Sequence, residues 1–313
     1  MNVVSMQRQR GIALITVLLV FALVAVIATE MLQRGQLNLR SVGGLVETRQ
    51  TYYYALAGEA FARQLLARDI VERNSTTDTL IEPWAQTKDQ KPFEIDNGTM
   101  QIEIHDLQGR FNLNNVVDAE GAKRDVAVEQ FKLLLTALQL SVNYASEWAD
   151  WVDIDQVRSV NGAEDADYKG YLTAGHFEAD TSVLRLLHSM QPQDYAKLAP
   201  HVTVLPAGTA TTININTADA AVLRSIMPEA LATQVVARQQ SGGYRDLTEF
   251  QAAGLTTEIA DVKSSYFEVV VTVNYLNRWQ RVRTVLRRNN NSGTAVTFDV
   301  LSRVRSPLID DSE

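Results

Sequence analysis

An acidic stretch, residues 150–168, carries the side chains of this sequence that are best suited to chemistry. Carboxylates brought together on one loop repel one another unless they are protonated or neutralised by a cation. The stretch offers oxygen donors and no His or Cys, which favours Ca²⁺ over a softer metal. Its composition therefore predicts a calcium loop and leaves open a solvated loop whose aspartates cap helices. The six carboxylates are those of Asp150, Asp153, Asp155, Glu164, Asp165 and Asp167.

The spacing of these acids differs from that of an EF-hand. Asp153, Asp155 and Glu164 would occupy loop positions 1, 3 and 12. Val157 would then fall at position 5 and Arg158 at position 6, where an EF-hand needs an oxygen ligand and a glycine. We therefore expect a calcium loop of another geometry, with a structural ion.

A second candidate, residues 215–250, is similar to a helix-hairpin-helix module, which binds the DNA backbone through glycine-rich hairpin amides. The hairpin position here reads Met227-Pro228-Glu229, which offers no G-x-G amides and places an acid where a phosphate would sit. Asn216 or Thr217 can cap the helix that follows. We therefore expect a structural helical subdomain and no nucleic-acid binding.

Composition argues against several other functions. The net charge of −8 gives no basic footprint for nucleic acid, and zero Cys excludes disulfides and thiolate sites. No G-x-S-x-G elbow, P-loop or H-E-x-x-H spacing is present, so we expect no enzymatic activity. The four histidines are scattered, at His105, His176, His188 and His201.

A basic stretch lies near the carboxyl end of the chain, on alternating strand patterns. It predicts a solvated sheet face, and a contact with an acidic partner is the alternative. Its arginines are Arg278, Arg281, Arg283, Arg287 and Arg288.

The element that must anchor the rest is the apolar stretch from Gly11 to Thr29, which Arg8 and Arg10 precede. Nineteen uncharged residues, rising about 1.5 Å each, nearly cross a hydrocarbon core of roughly 30 Å. The arginines predict a cytoplasmic amino terminus and an exported remainder. No small-residue cleavage site follows the run, which argues against a secretory signal peptide and leaves an ordinary single-span anchor open.

This amino terminus resembles the processing signal of type IV pilins and pseudopilins: basic residues, then Gly11, then an apolar helix that begins IALIT. The resemblance implies that a prepilin peptidase cleaves after Gly11 and methylates Ile12. Pilins usually carry Glu at the fifth mature position, where this chain has Thr16. Threonine there is typical of the general secretion pathway protein K family, the minor pseudopilins at the tip of the type II secretion pseudopilus.

The chain then divides into a pilin-like part and an insertion. Residues 12 to about 70 predict one long helix, and 93–116 predict short strands with a hairpin at Asn97-Gly98. Helical patterns follow for about 150 residues before strand alternation returns at 266–289. We therefore predict an α+β fold, with a long N-terminal helix on an antiparallel sheet that a large all-α insertion splits. The predicted packing face of the helix comprises Leu45, Tyr52, Leu56, Phe61, Leu65 and Leu66.

The resemblance to the protein K family extends over nearly the whole chain, and residues 106–115 (DLQGRFNLNN) closely resemble the family's own segment. It implies that the insertion consists of two SAM-like subdomains. The predicted divisions are a leader (1–11), a transmembrane or filament-core helix (12–31), a pilin-like helix and first strands (32–116), a first helical subdomain with the acidic loop (117–205), a second helical subdomain (206–263) and the closing strands (264–313).

The family also implies calcium binding in the helical insertion. Its pattern W-x-D-x-D followed by G-A-E-D-x-x-Y maps onto residues 151–155 and 162–168. The ligands implied in this way are Asp153, Asp155, Glu164, Asp165 and Asp167.

The partners that the family implies are the minor pseudopilins I and J, together with H, and the prepilin peptidase. The protein is expected in the inner membrane as a single-pass chain, with a cytoplasmic amino terminus and a periplasmic head that faces the secretin or exoprotein cargo. Two other functions remain open. One is a minor pilin of a related type IV pilus, and the other is a single-span periplasmic protein with a helix-hairpin-helix DNA-binding module.

Overall fold

The computed structural model describes residues 8–73, 77–206, 210–248, 250, 256–290 and 296–307. Most of the predicted leader, residues 1–7, and the last six residues of the predicted closing strands lie outside this range.

A single helix, α1 (Arg8–Arg73), begins the described chain. Its 66 residues extend about 100 Å at 1.5 Å per residue. Side chains from 13 to 42 are exposed, and the helix meets the rest of the molecule only in its carboxyl-terminal half. The prediction of one long helix is confirmed.

The remaining elements alternate between short strands and helices before three long strands end the chain. In chain order they are β1 (Phe93–Ile95), β2 (Gly98–Asp106), β3 (Phe111–Asn112), α2 (Asp125–Ala137), α3 (Asn143–Val152), α4 (Pro192–Leu198), β4 (Val202–Thr203), β5 (Ile213–Asn214), α5 (Ala220–Arg224), α6 (Glu229–Gln239), β6 (Ala260–Asp261), β7 (Tyr266–Tyr275), β8 (Arg278–Asn290) and β9 (Val296–Pro307). Short 3-10 turns cover Thr87–Asp89, Leu113–Val116, Asp165–Asp167, Thr181–Leu186 and Ala199–His201.

Five strands form one antiparallel sheet in the order β1-β2-β7-β8-β9. Strand β2 pairs with β7 along its full length, from Gly98 opposite Tyr275 to Asp106 opposite Phe267. Neighbouring strands of the sheet are thus separated in sequence by the whole insertion, residues 107–265. The predicted split sheet is confirmed. The prediction of an all-α insertion is wrong, because β3 pairs with β4 and β5 pairs with β6 in two short parallel ladders inside it.

Two tight turns set the register of the sheet. Asn97 has φ of 56° in the β1–β2 hairpin, and Leu276 and Asn277 have φ of 50° and 63° between β7 and β8. Positive φ at the central residues gives the turn a twist that matches paired strands. The hairpin at Asn97 lies where the sequence predicts it.

The face of α1 that packs on the sheet matches the predicted one only in part. Tyr52 and Leu65 are partly buried against the core between α1 and the sheet. Leu45 and Phe61 are 53% and 42% exposed, and Leu66 alone among the six predicted residues is fully buried. Small residues form the contact because the sheet presents β-branched valines: a Cβ at Gly58 would lie only 2.8 Å from a methyl of Val271. The buried positions of the face are Thr51, Ala55, Gly58, Glu59, Ala62 and Leu66.

The insertion has an apolar core of its own. One cluster of buried side chains runs from Phe111 through Trp148 to Val262, and it includes residues of both predicted helical subdomains. A second cluster lies between α1 and the sheet. The molecule therefore consists of a pilin-like layer and an insertion with separate cores.

A buried polar network joins the two parts where β2 ends. Oδ2 of Asp106 accepts hydrogen bonds from Asn214 (3.0 Å), Thr217 (2.6 Å) and Ser264 (2.5 Å). Burial raises the pKa of Asp106, although the hydrogen bonds from Ser264 and Thr217 oppose this. Asp78 lies beside this network, paired with the buried Arg288 at 2.6 Å.

A buried ion pair holds the last strands against α1. The carboxylate of Glu59 is fully buried and accepts two hydrogen bonds of 2.8 Å from Arg303 and one of 2.8 Å from Thr284. Arg63 contacts the same carboxylate at 2.8 Å. Burial alone would raise the pKa of Glu59, but the bonds from Arg303 and Thr284 outweigh it and the pKa is lowered.

Replacing this carboxylate should destabilise the fold. We expect Glu59→Gln to lose about 2–4 kcal/mol of unfolding free energy at pH 7, because it leaves buried donors without their anion. Since the folded-state pKa is lowered, the contribution is present above pH 4.5 and fades as the pH falls below that value. Denaturant titration of the detergent-solubilised chain measures both effects. Glu129→Gln, at an exposed pair with Lys132, is the control and should change little.

Candidate metal centre

Helix α3 carries two buried carboxylates at its end. Its apolar side, with Trp148 and Trp151, is buried in the core of the insertion, and this places Asp150 and Asp153 inside the molecule with 0% and 1% of their surface exposed. The loop that follows returns to bring Glu164, 4% exposed, to the same place. One ligand oxygen from each of the three acids lies within 4.8 Å of the others.

The close return of the loop depends on Gly162. A Cβ at this position would lie 1.9 Å from Oδ2 of Asp150, so only glycine fits. The same oxygen accepts a hydrogen bond of 2.9 Å from the backbone N–H of Ser159. The glycine of the G-A-E-D pattern thus permits the three carboxylates to converge.

A lysine from a distant part of the sequence enters the cluster. Nζ of Lys123 lies 3.0 Å from Oδ1 of Asp150 and 2.9 Å from Oδ2 of Asp153. Burial would lower the pKa of this amine, but pairing with Asp153 and Asp150 raises it to about 12. Three carboxylates and one ammonium leave an excess of negative charge. No sequence signal singles out Lys123, because its partners lie about 30 residues away.

The cluster has unused acceptors. No hydrogen bond reaches Oδ1 of Asp153 in the described part of the chain, and the Glu164 side chain has only the backbone N–H of Asp167 as a partner, in a capping box. Burial, together with the charges of Asp150 and Asp153, raises the pKa of Glu164 to about 7. Burial also raises the pKa of Asp153 to about 6, against the lowering effect of Lys123. These oxygens are hard donors, so the site fits a cation of the Ca²⁺ type.

Of the five predicted ligands, the structure brings Asp153 and Glu164 together and places the other three beside them. Asp155 accepts a hydrogen bond from the N–H of Val157 in a local turn. Asp165 accepts two from Thr173, through its N–H and hydroxyl, both at 2.8 Å.

Asp167 likewise has local partners. Its carboxylate accepts hydrogen bonds of 3.1 Å from the N–H of Glu164 and from Arg158. Asp150, which belongs to the acidic stretch but not to the five predicted ligands, takes a central place in the cluster. The ligand assignment itself stays a prediction.

The segment similar to a helix-hairpin-helix module has a structural arrangement. Asn216 donates to the carbonyl of Tyr244 at 2.8 Å and accepts from its N–H at 2.7 Å, which ties the start of the segment to its Gly-Tyr turn. Neither Asn216 nor Thr217 caps α5. Asp219 does so by accepting from the N–H groups of residues 221 and 222. At the hairpin position, Glu229 pairs with Arg224 at 2.6 Å.

Two family models described as type II secretion system protein K match residues 109–207 and 213–269. The chain is 33% identical over 305 residues to the type II secretion system protein K of Pseudomonas aeruginosa, with 90% of each chain covered. It is 36% identical over 326 residues to that of Klebsiella pneumoniae, covering 95% of this chain and 96% of the relative. The chain belongs to the type II secretion system protein K family. It is a minor pseudopilin, and its family is a structural component of this secretion system.

A solved structure shows the same fold. The chain superposes with a TM-score of 0.69 and 25% identity on a chain of the GspK-GspI-GspJ complex from the enterotoxigenic Escherichia coli type 2 secretion system. The match covers 84% of this chain and 98% of that one. The predicted α+β pilin-like architecture with its helical insertion is thereby confirmed.

Helix α1 fits a single-pass membrane anchor. Within Ala13–Arg68 it contains a window of mean hydropathy 2.6 whose side chains make no buried contact in the molecule. The globular part begins well beyond this window. The predicted anchor with a globular head therefore agrees with the structure.

Proposed function

We propose that the protein sits at the tip of the type II secretion pseudopilus, in a heteromeric complex with minor pseudopilins I and J. There it nucleates or caps assembly for the export of folded exoproteins. The likeness to a chain of the GspK-GspI-GspJ complex over 98% of that chain carries the proposal.

The position of the insertion supports a place at the end of a filament. Arg278, at the start of β8, donates a hydrogen bond to Glu47 of α1. Thr284 donates one to Glu59, which lies further along the helix. Strand β8 therefore runs along α1 away from the membrane segment. Strand β2 runs in the same direction and ends at Asp106, on the side of the sheet far from the membrane segment. The insertion leaves from that side, where a further subunit of a filament shaft would have to stack.

The exposed amino-terminal half of α1 would pack with the corresponding helices of its partners. It spans the inner membrane, with the amino terminus in the cytoplasm and the head in the periplasm. Thr16 donates its hydroxyl hydrogen to the carbonyl of Ala13 and offers no carboxylate to a neighbouring amino terminus. This suits a subunit that receives no further subunit above it.

Co-expression tests the assembly. A tagged form of this full-length chain should co-purify from detergent-solubilised membranes with minor pseudopilins I and J in a defined ratio. A major pseudopilin with the same tag serves as the control for non-specific association of apolar helices. Recovery of the chain without I and J, under conditions in which the two associate with each other, would refute the proposed complex.

Processing at Gly11 gives a separate prediction. Prepilin peptidase should remove residues 1–11, so that the mature chain starts at Ile12 with a methylated amine and a net charge of −10. Gly11→Leu should leave the precursor uncleaved, which mass spectrometry of the membrane fraction detects. Gly35→Leu, at an open helical position, is the matched control and should be processed normally. A Gly11→Leu chain that is cleaved to Ile12 would contradict the assignment.

The acidic cluster, in this proposal, holds a structural Ca²⁺ ion. Asp150, Asp153 and Glu164 would supply ligand oxygens, and loop residues Asp155, Asp165 or Asp167 could complete the set. The ion would supply positive charge to carboxylates that burial otherwise keeps partly protonated. The unused acceptors of Asp153 and Glu164 support this role.

Chelation should therefore lower the melting temperature of the solubilised chain. At calcium 100-fold above its dissociation constant, we expect a difference of about 5–10 °C from chelator. Without metal, the raised pKa values of Asp153 and Glu164 stabilise the fold at pH 5, and this is lost as the pH rises through about 6 and 7. The calcium effect should hence grow from pH 5 to pH 8.

Two variants test whether the acidic cluster is the site at which calcium raises the melting temperature. Glu164→Gln should abolish most of the calcium effect, and Glu120→Gln, at a nearby exposed acid, should retain it. A melting curve that chelator leaves unchanged at pH 8 would contradict the assignment of a calcium ion to this cluster.

A further inference from the structure

A surface cavity of about 360 Å³ lies between α1 and the β7–β8 hairpin, on the side of the head that faces the membrane segment. Thr48 and Thr51 of α1 form one wall. The other wall consists of Arg278, Trp279, Gln280 and Arg305. Tryptophan and arginine dominate the energetics of protein–protein contacts, and here they are presented together at an open site.

The charge of this cavity is only partly balanced. Arg278 is paired with Glu47 at 2.5 Å. Arg305 lies over the ring of Tyr52, with its guanidinium carbon 3.3 Å from the ring centroid. No carboxylate of the described residues forms an ion pair with Arg305. This cation–π contact holds the guanidinium beside α1 and leaves its charge available to an anion.

The cavity also presents apolar area. Trp279 is 47% exposed although it is among the largest side chains of the sheet. An occupant that brings an anion for Arg305 and apolar area for Trp279 would match both features of the cavity.

The cavity is continuous with the exposed apolar side of α1. Leu45 lies one turn before Thr48 on the same side of the helix and is 53% exposed. Val42 and Val46, at 59% and 60%, are exposed at the same level. This is the part of α1 that the proposed helix packing would cover, so a partner helix that lies along α1 must pass the cavity.

We propose that this cavity receives a carboxylate from the helix of a neighbouring minor pseudopilin, whose apolar residues cover Leu45 and Trp279. The carboxylate pairs with Arg305 and fixes the axial position of the two helices. The contact deepens the proposed assembly and rests on it.

Charge reversal tests the contact in the full-length chain co-expressed with minor pseudopilins I and J. Arg305→Glu should weaken co-purification at least about tenfold, because it sets two carboxylates against each other, and Arg305→Lys should weaken it less. Arg281→Glu carries the same charge change. Arg281 is exposed and does not line the cavity, so this variant should bind as the wild type does. Equal melting temperatures of the three variants establish that each is folded.

Photo-crosslinking identifies the occupant. A benzophenone amino acid at position 279 should crosslink to the helix of a partner, at a peptide that contains Asp or Glu. Changing that acid to Lys should restore binding to the Arg305→Glu chain. A crosslink to residues 308–313 of the same chain, which carry three acids, would overturn the proposal.

Loss of binding no greater for Arg305→Glu than for Arg281→Glu would also overturn it. In that case wild-type co-purification with I and J would persist, and the proposed assembly would stand. Absence of wild-type co-purification would instead refute the assembly itself.

Discussion

The carboxylate of Asp106 is the constraint on which the arrangement of the two parts depends. It is buried where β2 ends, and a buried carboxylate without donors would cost several kcal/mol. The donors come from Asn214 and Thr217 in the insertion and from Ser264 at its return to the sheet. The insertion supplies these donors only when both of its ends lie beside the end of β2. This arrangement brings β7 next to β2, and the two strands pair although the insertion separates them in sequence.

A second buried carboxylate, that of Glu59, connects the sheet to the anchor. Small residues let α1 approach the valines of β7 closely, and Glu59 lies within this contact opposite Thr284 and Arg303. Two strands from the end of the chain are thereby attached to a helix from its beginning. The half of α1 that precedes this contact keeps its apolar residues exposed, and these are what other subunits can cover.

The acidic cluster shows how the insertion can carry a charged centre. Asp150 and Asp153 are buried because their helix also carries Trp148 and Trp151, whose burial stabilises the core. The helix therefore brings the carboxylates inside with it, and Lys123 balances only part of their charge. A cation at this point would stabilise a loop on the membrane-distal part of the head.

Local patterns determined a large part of this protein. The helical pattern from residue 12 to about 70 set the extent of α1, and turn residues at 97 and 276–277 fixed the hairpins, since these properties depend on near neighbours in sequence. The glycine and acids of 150–168 indicated the charged loop for the same reason. Only the tertiary structure placed Lys123 between Asp150 and Asp153, chose Asp219 as the helix cap, and gave small residues the packing face of α1. Those outcomes depend on groups that are distant in sequence, and a pattern along the chain does not record which of them the closed fold brings into contact.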